Sequence, residues 1–427
     1  PTIQDKLPEE LRYIYVLEYD SAKKQSALQR FKKSSDVVYA ASLATYRSFS
    51  STVKKANESY HFASLNIEAA WQQTRGNDDI VIGIIDTGID YRHEDLQGAF
   101  WINTAEDLNG NGKLDPADEN GIDEDGNGYV DDVIGWDFTD APAFPDQGDY
   151  LEPDNDPNDE FQSGHGTPAA GLIASRENDI GTTGIAPGVR VMALRAGTAS
   201  GFLQEDDVAE AIIYALNNGC RIVNLSFGDV AFSYLLRDVL RYARQNGVLF
   251  VAAAGNSGNA VPNYPASYPE TISVGATQEG DQLAPFSSYG NTINLVAPGV
   301  ELFATQRNNK YGSVNGTSFA APLICGVLAL LLSEDPTLTP EQATGTLFAG
   351  SRDLGPTGWD NRYGHGIPDA SAVLNVGKGG YAAIYQPDNG AGIASDEVAI
   401  IGTAISSSLV GFTLSYGRGE EPLVWQE

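Results

Sequence analysis

The sequence predicts an α/β protein built on a mostly parallel β-sheet covered by helices on both faces. Near-continuous apolar runs recur: IVIGIID ending at Asp86, VRVMAL (189–194), CRIVNLSF (220–227), VLFVAAAG (248–255) and TISVGA (271–276). Strands buried on both faces read this way. Helical patterns over Glu205–Asn217 and Phe232–Asn246 separate several of them, the alternation of a parallel sheet with crossover helices. The chain of 427 residues is 42% apolar, enough for one large core with smaller attachments.

The elements follow in order. Arg12–Tyr19 has strand alternation, Ser21–Lys33 helical spacing with Ser21 as cap, and Asp36–Ser42 a second strand pattern. With the polar stretch from Ser48 to Ser59, these make a partial α+β unit over residues 1–59. Residues 60–376 form the main domain. Inside it, 101–160 is an insert rich in Asp, Asn, Gly and Pro. So long a loop needs something other than a core to order it, and metal ions are suited to that. Phe319–Leu332 carries Pro322 and Gly326 and is too short to span a bilayer, so it reads as a buried core helix. After the linker Gly377–Gly380, residues 377–427 continue into EVAIIGTAISSSLVGFTLSYGRG, which reads as the opening strands of a truncated, β-rich sandwich. The chain starts at Pro1 without a signal peptide and stops abruptly, as expected of a fragment or processed form.

The formal net charge is −31, which disfavours nucleic acid and anionic lipid as partners. An ordinary acidic extracellular protein is the plain reading, and a salt-rich habitat the alternative. Cys220 and Cys325 each sit in an apolar run and read as inert buried thiols.

Four short stretches carry chemistry. Ile84-Ile85-Asp86-Thr87-Gly88 ends a strand with a carboxylate. Ser163-Gly164-His165-Gly166-Thr167 sets a histidine between glycines. Ala253-Ala254-Gly255-Asn256-Ser257 ends another strand with a carboxamide. Asn315-Gly316-Thr317-Ser318-Phe319-Ala320-Ala321-Pro322 puts a serine at a helix start. A serine hydroxyl needs a neighbouring base, histidine titrates near neutrality, and a carboxylate fixes the imidazole's tautomer. A carboxamide and a backbone N–H at a helix N-terminus suit an oxyanion. Asp-Thr-Gly also occurs in aspartic proteases, but these need two copies and the chain has one. The joint order Asp, His, Asn, Ser is the specific signal.

A metal signal lies in the insert. Asp107, Asn109, Asn111, Asp115 and Asp118 fall at positions 1, 3, 5, 9 and 12 of an EF-hand-type loop. Gly112 stands at position 6, and Lys113 at the position that offers a backbone carbonyl. Asp123, Asp125, Asn127, Gly128 and Asp131 repeat the spacing incompletely; Ile134 holds position 12 and Asp132 is a substitute ligand. Oxygen cages of this kind suit structural Ca2+.

At these motifs the chain resembles the subtilases, the subtilisin-like serine proteases, over roughly Tyr60 to Ala370. Asp90-Tyr91-Arg92-His93-Glu94-Asp95-Leu96, Gly184-Ile185-Ala186-Pro187 and Tyr363-Gly364-His365-Gly366-Ile367-Pro368-Asp369-Ala370 resemble further landmarks of that family. The resemblance implies a subtilisin-like fold and a secreted endopeptidase acting on polypeptides through an acyl-enzyme. Asp86, His165 and Ser318 take the triad roles, and Asn256 the oxyanion role. Pro168, Phe319 and Leu323 depart from the family's usual residues around the site. Sedolisins, with Glu and Asp in place of His and Asn, fit less well.

The same resemblance implies a substrate pocket walled by Leu225, Ser226, Phe227 and Gly228 on one side and by Ala253, Ala254 and Gly255 on the other. Asn263 falls near its base. Such walls suit an uncharged side chain of medium or large size. The resemblance further implies a second calcium site at Asp95 and Asn178. It makes residues 12–46 the second half of a propeptide, an intramolecular inhibitor of a zymogen, processed between about Tyr46 and Tyr60. His93 and His365 take structural roles, and His61 carries no signal. The alternative is a calcium-binding adhesion or scaffold module with a silent protease fold.

Overall fold

The computed structural model describes residues 8, 11, 14–17, 24–34, 37–48, 51–53, 60–162, 164–387, 391, 397–417 and 425–426. The chain runs through α1 (Lys24–Lys32), β1 (Thr45–Ser48), β2 (Ser51–Val53), β3 (Val81–Asp86), β4 (Gly135–Asp137) and α2 (Gly166–Ala174). It continues through β5 (Arg190–Arg195), β6 (Phe202–Gln204), α3 (Glu205–Asn217), β7 (Ile222–Leu225), β8 (Phe227–Gly228) and α4 (Tyr234–Gln245). Then come β9 (Leu249–Ala253), β10 (Thr271–Gln278), β11 (Gln282–Leu283), β12 (Leu295–Pro298), β13 (Leu302–Gln306) and β14 (Lys310–Asn315). Last are α5 (Thr317–Glu334), α6 (Pro340–Ala349), β15 (Tyr381–Gln386) and β16 (Ile401–Ile405).

Among the described residues the central sheet has eight strands in the order β11-β10-β9-β7-β3-β5-β4, with β12 beside β10. All its pairs are parallel except β10 with β11. Both faces are covered, because β3 feeds two cores. Ile82 and Ile84 pack with Ala169, Ile173, Ala320 and Ile324 of α2 and α5. Val81 and Ile85 pack with Val208, Ile212, Leu236 and Val239 of α3 and α4. The chain leaves β3 toward β4 and β5 on one side and later returns to β7 on the other. Sites of open α/β sheets form at the carboxyl ends of strands where the order reverses, and Asp86 ends β3 at that point.

Helix α5 is long and apolar enough to cross a membrane, yet every residue from Thr317 to Leu332 is buried in the fold. Pro322 lies inside it. Proline has no N–H to give the carbonyl four residues earlier, which here is that of Ser318. That carbonyl instead accepts the Ser226 hydroxyl (2.7 Å), so the proline ties the start of α5 to the turn after β7. Cys220 and Cys325 are free and buried, and burial raises both thiol pKa values.

The N-terminal unit differs from the expected strand–helix–strand. The helix is present as α1; Ser21 lies outside the described residues. Residues 14–17 and 37–42 belong to no strand, and the remainder of the first expected strand, with Asp36, is outside the described residues. A strand needs a partner ladder. The segment finds its ladders further on: β1 pairs antiparallel with β6 and β8, and β2 with β14.

The insert also has more of a core than its composition suggested. Tyr129 stacks edge-on with Tyr214 (4.8 Å), Trp136 (5.2 Å) and Phe138 (5.8 Å). At the C-terminus, β15 and β16 form a two-stranded antiparallel ribbon whose Ile384 and Ile401 are exposed. The glycine linker is packed closely: a side chain at Gly379 would meet the Gly345 carbonyl of α6 at 2.0 Å.

Candidate active site and metal sites

Asp86 is buried at the end of β3, and its Oδ1 accepts the Thr87 N–H (2.7 Å). His165 Nδ1 lies 2.7 Å from the same oxygen. His165 precedes α2, and Gly166 opens that helix. A Cβ at Gly166 would sit 2.2 Å from the Gly88 carbonyl, so only glycine lets α2 close on the Asp86 loop. Both side chains are almost fully buried, where a charge-assisted hydrogen bond is strong and well oriented.

Ser318 sits in the first turn of α5, where backbone N–H groups have no partner within the helix. Its hydroxyl donates to the Ser226 carbonyl (2.9 Å). The Phe319 ring stands 5.3 Å from the imidazole of His165. Asn256 follows β9, and its Oδ1 accepts both the N–H and the hydroxyl of Thr317 (2.9 Å each). Those two donors fix the amide's orientation and leave Nδ2 as the end that can donate to an anion.

One residue that binds this arrangement together escaped the sequence reading. Asp159 is fully buried. Its Oδ1 accepts from Thr87 Oγ1 (2.9 Å) and Phe161 N–H (3.2 Å). Its Oδ2 accepts from His165 N–H (3.0 Å), Thr167 N–H (3.2 Å) and Thr167 Oγ1 (2.7 Å). Asp159 therefore links the loop of Asp86 to the helix of His165. Burial, offset by those donors and reinforced by the Asp86 carboxylate, pushes its pKa up to about 6. Its only sequence signal was one acid among many in the insert. Ser163, in the histidine motif, lies outside the described residues.

Of the residues expected to wall the pocket, Gly228, Gly255 and Asn263 come together. A Cβ at Gly228 would stand 2.3 Å, and one at Gly255 3.2 Å, from Asn263 Nδ2. That nitrogen is buried and has no hydrogen-bond partner among the described residues. Ala254 continues β9 and its N–H donates to the Val274 carbonyl (3.0 Å), while Ala253 is buried in the strand. Leu225 turns into the core, and Phe227 packs against Tyr46 of β1 (5.4 Å).

Asp107, Asn109, Asn111, Asp115 and Asp118 converge through turn hydrogen bonds. Asp107 accepts from the N–H groups of Asn111 (3.1 Å) and Gly112 (2.8 Å). Asp118 accepts from Leu108 (3.1 Å) and Asp115 (3.1 Å), and Asp115 from the Asn109 amide (3.2 Å). Asp123 likewise holds the N–H groups of Gly126, Asn127 and Gly128, and the Asn127 amide reaches Asp125 (3.1 Å) and Asp132 (3.0 Å).

Asp131 does not join that loop. It turns to Asn120 and Gly121 instead, its backbone at φ 59°. Buried Glu106, which the spacing did not flag, takes a central place: its carboxylate groups with Asp125 and Asp132, and with Glu124 and Asp131. Burial, together with Glu124, pushes its pKa up to about 7. At the remaining site Asp95 is buried, and its Oδ1 has no partner among the described residues. Burial raises its pKa, partly offset by Thr182 and by an Asn178 side-chain hydrogen bond.

A profile of the subtilase family matches residues 77–366. The chain belongs to the subtilase family. Among similar subtilases is the thermophilic serine proteinase of Bacillus sp. (strain AK1), 36% identical over 266 residues, covering 62% of this chain and 55% of that protein. The M-protease of Shouchella clausii (strain KSM-K16) is 38% identical over 218 residues, 51% of this chain and 57% of that protein. The minor extracellular protease Epr of Bacillus subtilis (strain 168) is 37% identical over 225 residues, 52% of this chain and 35% of that protein. The alignments thus take in about half the length of the first two relatives and a third of the last.

Proposed function

We propose that this subtilase is a secreted serine endopeptidase that hydrolyses peptide bonds through an acyl-enzyme. Ser318 attacks the scissile carbonyl carbon while His165 takes the hydroxyl proton. Asp86 holds the imidazole and stabilises its charged form. Asn256 Nδ2 and the Ser318 N–H hold the oxyanion, aided by the positive end of α5. As the C–N bond breaks, His165 returns the proton to the leaving amine. Water, activated by the same histidine, then releases the acyl group.

The observation that carries this reading is the path of the N-terminal segment. Residues 45–48 lie antiparallel between β6 and β8, the latter starting one residue after Ser226, whose carbonyl holds the Ser318 hydroxyl. Residues 51–53 lie antiparallel to β14, which ends three residues before Ser318. An extended chain held by backbone ladders on both sides of the nucleophile is how a protease grips a polypeptide.

Residues 1–59 are accordingly the propeptide-like unit, inhibitory as far as the processing bond, 60–376 the catalytic unit with its insert at 101–160, and 377–427 an appendage. Self-processing falls at one of the three peptide bonds between Ser48 and Ser51. Intact mass of freshly folded chain should show that cut, and Ser318→Ala should stay full length with an unchanged circular dichroism spectrum. A Ser318→Ala chain that still cuts this linker contradicts the assignment.

Calcium is part of the proposal as a structural ion. Asp95 Oδ1, buried and without a partner among the described residues, and the all-oxygen clusters around Glu106 fit a hard cation. Asp107, Asn109, Asn111, Asp115, Asp118 and the Lys113 carbonyl would hold one ion, Asp123, Asp125, Asn127 and Asp132 with Glu106 another, and Asp95 with Asn178 a third. The bound ion supplies positive charge that offsets the crowded carboxylates. An extracellular location accords with the sign of the net charge and with the printed name of the Bacillus subtilis relative.

A further inference from the structure

We infer that Glu205 is a specificity-determining residue that reads the backbone of the bound chain at the position of Ala44. This rests on the reading above, that the N-terminal segment lies in the cleft as a substrate does. The ladder of β1 with β6 pairs Arg47 with Phe202, Tyr46 with Leu203 and Thr45 with Gln204. There β6 ends, because α3 begins at Glu205.

A strand would offer one more donor and one more acceptor. The donor is the Glu205 N–H, a helix N-terminal group without an intrahelical partner, and it donates to the Ala44 carbonyl (3.2 Å). The acceptor is the Glu205 side chain: Oε2 accepts the Ala44 N–H. The helix start thus mimics the missing strand residue.

The carboxylate is positioned from the enzyme side. Its Oε1 accepts the hydroxyl of Ser233, and Ser233 caps α4 by accepting the Leu236 N–H (2.9 Å). Ser233 is itself held through its backbone by the Tyr268 hydroxyl, at 2.8 Å on both N–H and carbonyl. Glu205, Ser233 and Ala44 are all buried. The acceptor therefore demands a backbone N–H rather than a particular side chain. It excludes proline at that position, and it demands an occupant reaching at least five residues upstream of the linker, Ala44 through Ser48. The favoured substrates are long, extended polypeptides.

The test uses the chain after it has processed itself, and quenched fluorescent peptides spanning Leu43 to Val53. In one peptide an ester oxygen replaces the Ala44 N–H; in a peptide begun earlier the ester replaces the Ser42 N–H. A hydrogen bond to a charged acceptor predicts that the Ala44 ester raises KM about tenfold, with kcat little changed. The Ser42 ester should do neither. In Glu205→Ala the Ala44 penalty should fall below about twofold, while Glu205→Gln, which keeps an acceptor oxygen, should retain part of it.

Equal penalties in wild type and Glu205→Ala, or equal penalties for the two esters, overturn the inference. The ester comparison needs only the unmutated chain, so it decides even where Glu205→Ala does not fold. Failure of every preparation to cut the unmodified peptide would overturn the underlying reading, and this inference with it.

Discussion

His61 shows how a residue without a sequence signal acquires a physical role. It is buried beside Phe62 (4.4 Å between rings), and burial lowers its pKa to about 4. In the unfolded chain an imidazole titrates near 6.5. The unfolded state therefore takes up a proton between about pH 6.5 and 4 that the folded state refuses. Stability is fully present above that window and falls as pH drops through it, by on the order of 3 kcal/mol at pH 4. His61→Leu should lose less of its unfolding midpoint between pH 7 and 4.5 than the parent does. Parallel losses would contradict this. The four motif residues stood out in the sequence because chemistry restricts which types can serve such roles. Asp159 was not, since an acceptor of five hydrogen bonds is recognised only when the donors are in place.

At the scale of elements, strands buried on both faces were the clearest signal. β3, β7 and β9 lie within the apolar runs that announced them, and β5 and β10 extend one and two residues past theirs. The N-terminal strands were misplaced because their partners come from another part of the chain. Thr45–Ser48 and Ser51–Val53 have unremarkable composition and are strands only by virtue of β6, β8 and β14. The spacing of Asp107 to Asp118 stood out for the same reason the motifs did, while Asp131 takes φ 59° and turns to Asn120 and Gly121.

The insert's clustered carboxylates give a prediction at this scale. An ion bound only to the folded state stabilises it by mass action, by about 2.7 kcal/mol when present at a hundredfold excess over its dissociation constant. Chelation should lower the unfolding midpoint by several degrees in calorimetry. Asp107→Ala and Asp118→Ala should each remove part of the calcium response. A midpoint unmoved by chelator and restored calcium would contradict a structural ion.

For the whole molecule, two apolar cores sandwich one sheet, and the candidate catalytic groups gather where the strand order reverses. Residues 45–48 and 51–53 pair with β6, β8 and β14. A net charge of −31 is carried partly by an insert whose acids are organised rather than merely solvated. Covalent labelling reads an activated nucleophile in a working subtilase site directly. The processed chain, freed of its cleaved N-terminal segment, would be treated with a fluorophosphonate probe in calcium-containing buffer and mapped by peptide mass. An activated nucleophile gives a single adduct, on Ser318. A folded, processed chain that takes up no probe at Ser318 would contradict it and favour a calcium-binding scaffold with a silent protease fold.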